Sequence, residues 1–426
     1  MKSYLVIFII LISNSLANAA EPLPLFIQNA LAANPELKSS QSKWQMFVNK
    51  GKQSSALEDP MFMFKLQNLV ARQPLSFGGS DPQTAKVIGI SQQLPFWGKR
   101  GIRQELAQYE AESYRWQIEE RKLELTRMIK EVWYQIWNTD KSLQVVEKNL
   151  KVLADFIAIA ESRYSVGQGV QQDIFKAGLE KSKMLDMRIS LQQKRRSMAA
   201  NLNYLLSRPQ ETEVATISDF PLPTFSKTAD QLNADAYQQR PQIKSLIQLA
   251  NKSDAAHRLA QKESYPDFNL SFEYMFREAS MSDPGYNMFT LGVTFNLPFQ
   301  QEKRRAMQAE SLSERTMVLD DLQALKNSIS YTISDTIAWL EKRKQLIELY
   351  QKGIIPQAEQ SLESAVISYR VGKVDFLTVL DGSMTLFSYE RELYESQAEY
   401  MMGLARLEAA VGVELVSDLK TESKRQ

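Results

Sequence analysis

The sequence predicts a mainly α-helical protein that also contributes to a membrane β-barrel. Three observations point there. The stretch from Gly98 to Val166 has no proline, and its only glycines, Gly98 and Gly101, stand at its start. From Leu125 its apolar residues fall at Leu125, Ile129, Val132, Ile136, Leu143, Val146, Leu150, Leu153, Ile157 and Ala160, in steps of 4, 3, 4, 7, 3, 4, 3, 4 and 3. That is a heptad seam with one position lost at Thr139 or Asp140, the mark of a supercoiled helix. At 1.5 Å per residue it makes a rod of roughly 100 Å, longer than a globular core requires. Second, two pairs of short segments alternate apolar and polar residues with strand period. Third, the chain repeats itself.

The chain opens as an export signal. Lys2 is its positive start, Tyr4 to Ile12 its apolar run, and Ala17-Asn18-Ala19 its cleavage pattern, so residues 1–19 are removed and Ala20 leads the mature chain. The apolar run is too short to span a bilayer, and no later run is long enough, so entry into a membrane requires a β-barrel. The net charge is +1, from 51 basic and 50 acidic residues, with no polybasic tract, which speaks against a nucleic-acid partner. There is no cysteine, so an exported chain must be stable by packing and assembly.

The first repeat, residues 20–208, starts with a helix from Pro22 to Ala56, broken at Asn34-Pro35. Residues 61–67 and 84–91 read as the strands of a hairpin over 60–95, with a loop at 73–82. The long helix follows over 98–166. After a turn at Gly167-Gln168-Gly169, a second helix runs over 170–207 and stops at Pro209. Residues 209–233 read as a linker. In the second repeat, 234–416, Pro35 and Glu36 return as Pro241 and Gln242 at an offset of 206. Leu94-Pro95-Phe96 returns as Leu297-Pro298-Phe299 at 203, and Tyr164 and Gly167 return as Tyr369 and Gly372 at 205. Four landmarks in one order, Pro60 and Pro266 included, mark a tandem duplication. The second hairpin lies over 267–298, the second long helix over 303–369 and a last helix over 374–413, before a polar tail at 417–426. Pro356 should kink the second long helix.

The strands of the second hairpin carry Phe268, Phe272, Tyr274, Phe276, Phe289 and Phe295, a large aromatic surface to leave in water. Each is about nine residues long, the span of a tilted membrane strand. Four strands per chain cannot close a barrel, and in lipid an open edge leaves amides unpaired. The barrel is therefore shared. Two copies give eight strands with a filled interior, and three give twelve with room for a bore.

These residues resemble a family. The signal, the duplicated units and the turns Tyr164-Ser165-Val166-Gly167 and Tyr369-Arg370-Val371-Gly372 are similar to the TolC-type outer-membrane efflux proteins. The stretch from Ser91 to Arg100 (SQQLPFWGKR) and the stretches from Pro356 to Leu362 and from Tyr369 to Leu377 are similar to the heavy-metal branch, the CzcC and CusC type. The resemblance implies a homotrimer, with a trimeric 12-stranded β-barrel in the outer membrane of a Gram-negative bacterium and a coiled-coil helical barrel in the periplasm. It implies no catalysis and no cofactor. It implies docking to a periplasmic adaptor protein, which links the duct to an inner-membrane pump of RND type, and export of heavy-metal cations. Ducts for polypeptide secretion or drug efflux share this architecture, and a pore-less periplasmic coiled-coil scaffold is the alternative from another class.

Within the resemblance, Val166, Gly167, Gln168, Val371, Gly372 and Lys373 are the adaptor-docking tips. From the residues alone, the two glycines are helix-ending caps. Asp173, Asp381 and Tyr369 match the family's pore-gate positions, with Arg163 and Arg370 as ion-pair partners. Three copies of each carboxylate make acidic rings that favour cations. An aspartate at a helix start also serves as a cap. His257 is the only histidine, so no imidazole–thiolate metal site exists. The sixteen methionines fall at helical core spacing or in strands, which reads as packing rather than soft-metal ligation. No P-loop, catalytic triad or zinc-helix motif is present.

Overall fold

The computed structural model describes residues 22–415 apart from 70, 72–80, 82, 225 and 280–282. The export signal, most of the first hairpin loop and the polar tail lie outside the described residues. In chain order the elements are α1 (Leu23–Ala33), α2 (Pro35–Ser55), β1 (Met61–Gln67), β2 (Ala85–Leu94), α3 (Lys99–Ser165), α4 (Gln171–Leu205) and α5 (Ala229–Gln239). Then come α6 (Pro241–Lys262), β3 (Phe268–Arg277), β4 (Met288–Phe295), α7 (Gln301–Leu349), a π-helical segment (Tyr350–Ile354), α8 (Ile355–Arg370) and α9 (Phe376–Val411). No described helix is long and apolar enough to cross a membrane.

The break at Asn34-Pro35 is a helix cap. Asn34 Oδ1 accepts the backbone N–H groups of Glu36, at 2.9 Å, and Leu37, at 3.2 Å. Pro35 then occupies the first helical position, where its missing N–H costs nothing. The second long helix differs from its expected form. Instead of running unbroken over 303–369 it passes through the π-helical segment just before Pro356. The Ile355 N–H reaches back five residues to the Tyr350 carbonyl. A π turn holds one residue more than an α turn. The sequence has one to absorb, since Lys99-Arg100 and Lys303-Arg304 are 204 apart whereas the tyrosines that follow are 205 apart.

The chain forms two compact units. One comprises residues 38–120 and 241–328. Its four strands make a single antiparallel sheet in the order β1-β2-β3-β4. Strand period sorts the side chains onto two faces. One face carries Phe62, Phe64, Ile88, Ile90, Phe272, Tyr274, Phe276, Phe289, Leu291 and Phe295, the other Lys65, Gly89, Ser91, Ser271, Glu273 and Thr290. Lys99, fully buried at the start of α3, ties the sheet to its helices. Its ammonium meets Glu263 at 3.1 Å, Asp267 at 2.9 Å and the Tyr265 carbonyl at 3.1 Å. Asp267 also accepts the Phe96 N–H at 2.7 Å, so one triad around the buried ammonium holds the exit of β2 against the entry to β3.

The other unit comprises residues 1–37, 121–240 and 329–426. Its core sets Leu125, Ile129, Val132 and Ile136 of α3 against Phe26, Ala30, Leu202, Leu205 and Ala398. The seam of α3 is not lost at Thr139 and Asp140, because both are buried. Thr139 donates to the Gln135 carbonyl at 2.8 Å, and Asp140 accepts Arg195 Nε at 2.5 Å. The described residues of 209–228 have no regular structure, yet several are packed. Val214 and Ile217 are buried, Phe220 lies 4.7 Å from the Trp137 ring, and Asp219 accepts Trp137 Nε1 at 3.1 Å.

Candidate functional site

The two helix–helix tips are built alike. At the end of α3, Gln168 N–H reaches the Arg163 carbonyl at 2.9 Å and Gly167 N–H the Tyr164 carbonyl at 3.0 Å. At the end of α8, Lys373 N–H reaches the Ser368 carbonyl at 2.9 Å and Gly372 N–H the Tyr369 carbonyl at 3.0 Å. Both are Schellman caps, in which the residue after the cap takes the left-handed conformation. Gly167 has φ 73° and Gly372 φ 75°, values that cost a residue with a Cβ but not glycine. The cap residues Val166 and Val371 are 66% and 65% exposed, a matched pair of uncovered apolar side chains.

Beneath the tips lies a core of Leu153, Phe156, Ala160, Ala177, Tyr369, Phe376, Val379 and Leu380. Arg163 crosses from one tip to the other. Its Nη1 donates to the Tyr369 carbonyl, its Nη2 donates to the Gln168 carbonyl at 2.9 Å, and its guanidinium sits 4.6 Å from the Tyr369 ring centroid. The Tyr369 hydroxyl donates to Asp173 Oδ2 at 3.3 Å. Burial, and after it the Asp173 carboxylate, pushes the Tyr369 phenol above its ordinary pKa, so it stays a donor. Arg163, Tyr369 and Asp173 thus form one chain of contacts spanning both tips.

The other candidate residues are not drawn in. Asp381 and Arg370 are exposed, and among the described residues neither side chain has a hydrogen bond or ion pair. Within a single chain Arg370 is therefore not the ion-pair partner of either aspartate, because it stands on the solvent side of α8. Lys373 contributes only its backbone N–H. Sequence reasoning missed Asp375, the cap of α9, which accepts the Thr378 N–H at 3.0 Å and the Thr378 hydroxyl at 2.6 Å. The signal was the Asp-x-x-Thr spacing at the start of an apolar helix. His257 is engaged by Ser311 and Gln261, both at 3.0 Å. Among the described residues no group of three or more His, Cys, Asp or Glu side chains is placed to hold a metal ion.

The described fold matches solved outer-membrane proteins over nearly its whole length. The outer membrane protein VceC of Vibrio cholerae superposes with a TM-score of 0.77 at 18% identity, over 92% of this chain and 97% of that one. CusC superposes with a TM-score of 0.74 at 16% identity, over 92% of each chain. The two likenesses are too similar to separate one branch from another. In sequence, the chain is 21% identical to the pyoverdine export outer membrane protein OpmQ of Pseudomonas aeruginosa over 334 residues, 76% of this chain and 68% of that protein. The family model "Outer membrane efflux protein" matches residues 232–413. That match lies in the second repeat, and the likeness to the solved structures, which is one of fold, extends over both repeats.

Proposed function

We propose that the chain is one subunit of a homotrimeric exit duct in the outer membrane of a Gram-negative bacterium. The duct passes heavy-metal cations outward, driven by an inner-membrane pump of RND type and its periplasmic adaptor. The observation that carries this is the four-stranded sheet. Its edge strands β1 and β4 each pair on one side only, and one face is a largely aromatic and aliphatic surface, with Lys86 and Gln92 near its two ends. Such a face belongs in lipid, and in lipid neither edge can stay unpaired. Copies must join edge to edge, and three give twelve strands around an open bore.

The tips support the rest. Val166, Gly167 and Gln168 with Val371, Gly372 and Lys373 form the surface that meets the adaptor. Asp173, Tyr369 and Arg163 hold the gate within each subunit, and the unpartnered Asp381 and Arg370 are left for a neighbouring subunit. Light scattering of the protein in detergent tests the assembly, where three chains per particle are expected and a monomer removes the duct. The cargo is tested by the metal-sensitivity profile of a deletion strain, which should lose resistance to one or more heavy metals. A second reading is favoured by the OpmQ match, since that relative is named for pyoverdine export; there the cargo resembles pyoverdine, and unchanged metal tolerance in the deletion strain selects it.

A further inference from the structure

We propose that a cavity between α1, α3 and α9 binds a neutral, largely apolar small molecule that carries one hydrogen-bond acceptor. Its described lining belongs to one of the two compact units, and none of it to the sheet or the tips. Helical spacing builds the walls. On α3 they are Leu123, Arg127, Lys130 and Tyr134, the row opposite the buried seam. On α9 they include Met401, Ala405 and Ala409, each four residues apart, and α1 closes the third side with Leu23 and Ile27. The two alanines leave the room. The cavity measures about 420 Å³, a size usual for small-molecule sites.

Tyr134 supplies the polar handle. It is 5% exposed, with its ring against Trp133 at 5.1 Å and Phe220 at 5.2 Å. Its hydroxyl has no hydrogen bond among the described residues. Buried hydroxyls are ordinarily bonded, and other tyrosines of the same unit obey. Tyr350 donates to Glu392 and Tyr400 to the Pro223 carbonyl, both at 2.9 Å. Burial first, and then the Glu408 carboxylate, raise the Tyr134 phenol above its ordinary pKa, so it stays a donor in want of an acceptor. The charges around the cavity are already matched. Lys130 meets Glu408 at 2.5 Å and Arg127 meets Glu131 at 2.8 Å, which leaves neither cation for an acidic ligand. Glu414 stands exposed, where water screens its charge. What remains is apolar wall and one hydroxyl, which together select a neutral ligand with a single acceptor.

Benzophenone is a suitable probe, a neutral diaryl ketone that on irradiation bonds to the C–H groups it touches. The full-length oligomer in detergent is irradiated with it, digested and mapped by mass spectrometry. Saturable label should fall on the cavity wall, with Met401 the expected position. Ala409→Phe, at a half-buried position, fills the space and should cut that label by about tenfold or more. Tyr134→Phe keeps the ring and removes a hydroxyl that bonds to nothing, so the melting temperature should not fall. It should weaken benzophenone by about three- to tenfold, the worth of one neutral hydrogen bond. Diphenylmethane, which has the same shape without the acceptor, should compete with one inhibition constant in parent and variant. An absence of saturable label on α9, full label in Ala409→Phe, or equal losses for both ligands in Tyr134→Phe overturns the site. Label that appears only after residues 417–426 are removed makes the chain's own tail the occupant, and label confined to dissociated subunits makes it a second copy; either result overturns the proposal.

Discussion

The two long helices hold corresponding places in the two sequence repeats, yet the chain treats them differently. Along α3 the seam residues Leu125, Ile129, Val132, Ile136, Val146, Leu150, Leu153 and Ala160 are all buried, and Tyr164 is the one large apolar side chain left exposed. Along α7 and α8 the chain leaves Leu312, Met317, Leu319, Tyr331, Trp339, Leu349 and Ile367 exposed, Tyr331 by 72%. The first helix completes its packing at home. The second ends with an apolar flank that nothing in its own chain covers. A duplicated sequence has thus diverged into an inward-packed rod and one with surface to spare, which is what a subunit needs to recruit copies of itself.

The largest test of this contrast lies in the α3 seam. Asp140 is buried, held by Arg195, which also donates to the Val214 carbonyl at 3.0 Å. Arg195→Ala leaves that carboxylate unpaired, at a cost of about 3–5 kcal/mol. Chemical denaturation should show the loss even before assembly. A cost under about 1 kcal/mol would mean that water reaches the seam and that α3 is not packed within its own chain. The flank of α7 comes next. Leu312→Glu with Tyr331→Glu should leave helix content unchanged and cost roughly 2 kcal/mol or more at the interface between copies. Light scattering would then report smaller particles; an unaltered oligomer would show that this flank faces something else.

How much of this was legible in the sequence depended on the length scale of each signal. The strands were readable because Phe268, Leu270, Phe272, Tyr274 and Phe276 repeat with period two, and the coiled-coil character of α3 because its seam repeats over many turns. The π-helical segment hid behind Pro356, whose sequence signal is a kink; the extra residue shows only when both repeats are aligned on Lys99 and Lys303. At the tips, Gly167 and Gly372 could be read as caps from local chemistry. The reach of Arg163 to the Tyr369 carbonyl could not, since the two are 206 residues apart and only packing brings them together.

The tips sharpen the contrast from the other side, because there the two repeats agree. Gly167 and Gly372 share one conformation, and a Cβ at Gly167 would meet nothing within 4 Å. The penalty of substitution is therefore backbone strain, about 1–2 kcal/mol per site. Gly167→Val with Gly372→Val should leave the oligomer intact while efflux is lost. Normal export by a folded double variant would detach the tips from adaptor docking.

The smallest expected effect concerns the helices that leave the tips. The N-cap of α4 is Val170, which offers no side-chain acceptor, whereas Asp375 caps α9. The Thr378 hydroxyl first, and then the Thr378 backbone N–H, hold the Asp375 carboxyl below its ordinary pKa. A carboxylate whose pKa is lower folded than unfolded stabilises the fold fully above its unfolded value, about 3.9, and that contribution fades as pH falls through the folded value. As pH falls below about 4 the second tip should therefore loosen while the first, with no titrating cap, does not respond through this group. Asp375→Asn keeps an N-cap acceptor but removes the titration. A spectroscopic probe at each tip would then show acid loosening at the second tip of the parent chain and none at the second tip of the variant. Equal acid responses in parent and variant would show that the asymmetry between the tips does not come from the cap.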